Sequence, residues 1–78
     1  MAAPLNRRHR DIVETIGRLG GRATVRQIAE QLDLNVNGVS QSLGAPALRA
    51  FVEDTKTGKA GDRVWRLKDD AIVQTHLF

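Results

Sequence analysis

The sequence predicts a mainly α domain with a small β-hairpin, and three observations carry that prediction. Apolar residues recur at helical spacing in three separate stretches, around residues 12–19, 28–32 and 36–43. Glycine and proline fall between or just after these stretches, at Gly20, Gly21, Gly44 and Pro46, where a helix needs a stop. From residue 51 onward the period shortens to that of extended strands flanking a turn rich in Lys and Gly.

The first helix is expected over residues 6–19. Asn6 is a good N-cap, and Ile12, Val13, Ile16 and Leu19 form one apolar stripe. Gly20 and Gly21 end it, and Arg22 with Ala23 suits a very short strand. Thr24 followed by Gln27 is a capping-box pattern, which starts a second helix over residues 24–32. Asp33 occupies the turn that follows, and Asp is among the few residues that tolerate a left-handed backbone.

A third, short helix is expected over residues 36–43, because Gly44 offers a stop and Pro46 opens another turn. Ile28, Ala29 and Leu32 on the second helix, Leu34 after the break, and Val36, Val39 and Leu43 on the third are spaced as in a helix-turn-helix. Ala29 is small where the two helices would cross, and a larger side chain would hold their backbones apart. Gly38 costs about 1 kcal/mol relative to Ala inside a helix, which is either simply tolerated or allows a close approach.

With Val36, Val39 and Leu43 inward, Asn37, Ser40 and Gln41 project outward. All three are neutral hydrogen-bonders; Asn and Gln pair bidentately with adenine in the major groove, and Ser serves several base edges. A merely solvated helix face has the same composition, and the preceding turn is what favours base reading.

Beyond Leu48 and Phe51, which return to the core, a hairpin is expected with arms at 51–55 and 62–67. Alternation places either Trp65 and Leu67 or Val64 and Arg66 inward, and the first pair is the expected one. Its tip carries Lys56, Lys59, Gly58 and Gly61, a flexible cationic loop suited to a phosphate backbone, although surface hairpins are often cationic for solubility alone.

The 78 residues form one domain, 1–78, with an N-terminal arm at 1–5 and a tail at 69–78. A chain this short buries only about 60 to 65% of its unfolded surface, so its core is small and a partner copy would help. Ala71, Ile72, Val73, Leu77 and Phe78 make the tail apolar, suited to packing on its own first helix or to a homodimer contact through the tail or first helix.

The net charge of +3 favours anionic partners only weakly. More telling are Arg7, Arg8 and Arg10, then Arg22 and Arg26, then Lys56, Lys59 and Arg63, which bracket the third helix in sequence. The chain has no Cys, hence no disulfide, thiolate metal site or cysteine nucleophile. It also lacks a signal-peptide pattern or an apolar run near the roughly 20 residues that a membrane span requires. These features make a cytoplasmic location the expectation.

His9 and His76 sit at opposite ends with no nucleophile or metal-ligand spacing beside them, and Asp69 with Asp70 are adjacent carboxylates without pocket-building sequence around them. No enzyme activity, metal, cofactor or small-molecule effector is expected.

Residues 6–67 resemble the winged helix-turn-helix family of DNA-binding domains, a three-helix core plus a wing. The resemblance implies that the third helix enters the major groove, with Asn35, Asn37, Ser40 and Gln41 on the DNA. It also implies backbone contacts from Arg22, Thr24 and Arg26, and wing contacts from Lys56, Lys59 and Arg63. The third helix departs from the pattern by breaking early, at Gly44 and Pro46.

The segment VNGVSQSL and Trp65 also resemble pieces of the Z-DNA-binding winged helices. Gln41 stands where that subfamily has Tyr, however, and the wing lacks the prolines preceding its Trp. The function implied is that of a small transcriptional regulator, a repressor, bound to double-stranded DNA. The competing expectation is a winged helix that contacts protein within a larger assembly, since fold does not fix function.

Overall fold

In the computed structural model, residues 6–68 are described. The arm 1–5 and the apolar tail 69–78, with the expectation of a tail-mediated dimer, lie outside the described residues. The chain runs through helix α1 (Arg7–Arg18), strand β1 (Arg22–Thr24), helices α2 (Val25–Leu32) and α3 (Val36–Leu43), then a 3-10 turn at Pro46–Leu48. Strand β2 (Val52–Asp54), a second 3-10 turn at Ala60–Asp62 and strand β3 (Val64–Leu67) follow. The strands form one antiparallel sheet in the order β1-β3-β2. This is a winged-helix topology.

Local chemistry sets the helix ends. The Asn6 side chain accepts a hydrogen bond from the His9 N–H at 2.8 Å, satisfying one of the orphan donors of α1. At the other end, the Gly21 N–H donates to the Ile16 carbonyl and the Gly20 N–H to the Gly17 carbonyl. This is a Schellman cap, with Gly20 left-handed at φ 97°. It stops the helix at Arg18 and turns Leu19 out of the expected apolar stripe. Leu19 is 36% exposed, so it is not a core residue.

The capping box of α2 forms in full. Thr24 Oγ1 accepts from the Gln27 N–H at 3.0 Å, and Gln27 Oε1 accepts from the Thr24 N–H at 2.8 Å. Asp33 closes the helix with φ 54°, and the Leu34 N–H reaches back to the Ala29 carbonyl at 2.9 Å. Those bonds make the sharp turn that sends α3 across α2. Helix α3 ends at Leu43, but Gly44 has φ −80° and is not a left-handed stop. Pro46 is the terminator: it holds Ala45 extended, at ψ 141°, and itself begins the following 3-10 turn.

Ile12, Val13 and Ile16 of α1, Val25, Ile28 and Ala29 of α2, and Val39 and Leu43 of α3 meet Ala23, Leu48, Val52 and Leu67 in one buried cluster. Phe51 and Trp65 are only half-buried and pack at its margin. In the sheet, Ala23 pairs with Trp65 and Val52 with Leu67, so these residues share the inner face as alternation requires. Arg22, Arg66 and Glu53 stand in one row on the other face. No described helix is long and apolar enough to cross a membrane.

Candidate nucleic-acid interface

Helix α3 divides cleanly between core and solvent. Val39 and Leu43 are fully buried, whereas Asn37, Ser40 and Gln41 are exposed. Asn35 is exposed too, but its side-chain oxygen accepts from the Asn37 N–H at 2.8 Å and caps the helix, which leaves its amide N–H₂ for a partner. The outer face thus offers donors and acceptors of neutral side chains, fixed by a helix that the core holds from behind.

The start of α2 is joined to the base of the wing. The Val25 N–H donates to the Arg63 carbonyl at 3.1 Å, and the turn at Ala60–Asp62 lies against both α2 and α3. Gly61 is buried beneath the Arg26 guanidinium, so close that a Cβ there would sit 2.9 Å from Arg26 Nη2. Arg26 also faces Asp62, with Nε 3.7 Å from the carboxylate. Both side chains are well exposed, at 59% and 76%, so this pair contributes little to stability. The Thr24 hydroxyl, in contrast, is engaged in the capping box.

Hydrogen bonds across and within the arms shape the wing tip. The Thr55 N–H donates to the Val64 carbonyl and the Val64 N–H to the Thr57 carbonyl, which draws the two arms together beyond the strands. Asp54 organises the rest: its carboxylate accepts from the Lys56 N–H at 2.8 Å and from Arg63 Nε and Nη2, each at 2.7 Å. The bidentate Arg63 hydrogen bonds hold the Asp54 carboxyl below its ordinary pKa, and Asp54 raises that of Arg63. Lys56 is left-handed at φ 60°, and Gly58 at φ 83° leaves no room for a side chain, because a Cβ would overlap the Asp62 carbonyl. Lys56 and Lys59 are exposed and make no ion pair among the described residues.

The structure therefore brings the α3 face, Arg26 and the wing into one neighbourhood. It does not bring Arg22 there: that residue lies opposite Arg66 on the outer face of the sheet, while Thr24, opposite Val64, is the end of β1 nearer the wing. Arg63 belongs to the neighbourhood as a support, with its guanidinium held by Asp54. Sequence reading missed Asp54 and Asp62, since a carboxylate in a cationic hairpin shows no periodicity. It counted Arg8 among the cations that bracket the third helix but not among the residues set on DNA, although its Nη1 lies 3.9 Å from the point where a Gly38 side chain would begin. No family model, curated protein or solved structure matches this chain, so the winged-helix topology stands on the element order, strand order and register alone.

Proposed function

We propose that this domain binds double-stranded DNA, with α3 in the major groove and the wing on the flanking backbone. The observation that carries the reading is the two-sided α3: a buried Val39 and Leu43 behind an exposed row of Asn37, Ser40 and Gln41. A helix held rigidly by its core presents such side chains at fixed spacing, which base-edge recognition requires. In this reading Asn37, Ser40 and Gln41, with the free amide group of Asn35, contact bases. Lys56, Lys59 and Arg26 contact phosphates, and Arg63 keeps the wing in shape for them.

The biological role proposed is that of a small cytoplasmic transcriptional regulator, a repressor acting by occupancy. A homodimer on two half-sites would supply specificity that one short helix lacks. No catalytic step, metal or cofactor enters the proposal.

An amide-shift titration of labelled protein with a mixed-sequence duplex at low salt, repeated after adding salt, tests it. Salt-sensitive shifts concentrated on residues 35–41 and 56–63 are the expected result. Shifts absent at every salt concentration would reject the reading in favour of a protein-contacting winged helix.

A further inference from the structure

We propose that Arg8, on α1, is a phosphate-binding residue of this same interface, gripping the DNA backbone beside the α3 face; the inference rests on the reading of α3 as a double-stranded DNA contact. Arg8 is distant in sequence from the helix-turn-helix, yet the fold lays its guanidinium on α3. Arg8 Nη1 lies 3.9 Å from the position of a Gly38 Cβ, next to Asn37 in the first turns of the helix. That is ordinary van der Waals contact, so Gly38 leaves the guanidinium a seat where a long side chain would displace it.

The charge pattern of α1 points the same way. Its first turn holds Arg7, Arg8 and Arg10 and no acidic residue. The amino end of a helix carries the positive pole of the macrodipole, so cations there oppose the helix rather than stabilise it. Among the described residues Arg8 makes no ion pair, and its neighbours Asp11, Leu32 and Leu34 line an open groove with it and Arg7. An exposed, unpaired guanidinium in a place unfavourable to the helix finds its stabilisation in an anion from outside.

The chemistry of α3 specifies that anion. Its outer face is neutral, so it supplies hydrogen bonds to bases and nothing to neutralise the phosphates on either side of them. Arg8 lies beside this face, and its fork of N–H donors matches two phosphate oxygens.

The test is the affinity of the full chain for a labelled mixed-sequence duplex, measured by fluorescence anisotropy over a range of salt concentrations. Three variants are compared with the native protein: Arg8→Ala, Arg8→Lys and Arg18→Ala. Arg18 lies at the far end of the same 12-residue helix, about 15 Å away, and serves as the control.

Loss of one phosphate contact should make the negative slope of log K against log salt shallower by about 0.9 and weaken binding to all duplexes alike. That loss is expected in Arg8→Ala, with the slope retained in Arg8→Lys, which keeps the charge, and in Arg18→Ala. If the native protein binds and Arg8→Ala keeps both its affinity and its slope, the role of Arg8 is overturned while the α3 reading stands. If the native protein binds no duplex, both fall together.

Discussion

Arg63 grips Asp54 through two parallel hydrogen bonds of 2.7 Å, and that pair ties the two arms of the wing to each other beside the backbone bonds at its tip. The two side chains are 35% and 29% exposed, so the bond is shielded only partly from water. Asp54 also receives the Lys56 N–H, so one carboxylate serves both sides of the wing.

A pH titration should show this directly. The Asp54 carboxyl is held below its ordinary pKa of 3.8, chiefly by the Arg63 hydrogen bonds. A depressed carboxylate stabilises the fold fully above its unfolded value; the contribution declines as pH falls below that value and is gone once the lower folded value has been passed. The Lys56 amide and Arg63 Nε–H resonances should therefore move together on acidification below about pH 4. In Asp54→Asn they should start displaced and stay put; an unchanged wing spectrum in that variant would contradict the role assigned to Asp54.

Gly58→Ala should open the wing. The position combines φ 83° with a Cβ that would overlap the Asp62 carbonyl, so the backbone must shift in addition to adopting a left-handed conformation. A loss of about 1–3 kcal/mol in denaturant unfolding is expected, with amide shifts confined to the wing and the adjoining end of α2.

Ala29→Leu tests the crossing of α2 and α3. Ala29 is 3% exposed, and its carbonyl accepts the Leu34 N–H that closes the turn. Extra methylenes at a buried crossing typically cost about 1–3 kcal/mol, and in a domain of this size each of these lowers the melting temperature by roughly 4–8 °C. A melting curve identical to that of the native protein would show that the two helices have room between them.

Substitutions on α3 and on the wing should separate preference from affinity. Asn37→Ala or Gln41→Ala is expected to remove about 1–3 kcal/mol of discrimination between duplexes at the base pair concerned. Lys56→Ala or Lys59→Ala should weaken every duplex alike and flatten the salt dependence by about 0.9 per residue. Competition binding with a panel of duplexes checks both; a Lys56 variant with altered preference and unaltered salt slope would reverse the assignment.

What the sequence determined by itself was chiefly the helix ends, which side chains settle with backbone a few residues away. Asn6 and Thr24 with Gln27 each cap a helix by bonding to an N–H within three residues, so their patterns were legible in the chain, whereas Asn35, read only as a DNA contact, proved to cap α3 in the same way. The same locality explains why Asp33 was readable as a left-handed turn and α3 as residues 36–43. Leu19 failed as a core residue because one left-handed glycine ended the stripe a residue sooner than periodicity alone suggests. Only the tertiary structure decided which cations gather around α3. It laid Arg8 on Gly38 and Arg26 on Gly61, tied Arg63 to Asp54, and left Arg22 across the sheet from Arg66. Contacts of that kind join residues from different elements, and they follow from how the buried faces dock, which no local spacing encodes.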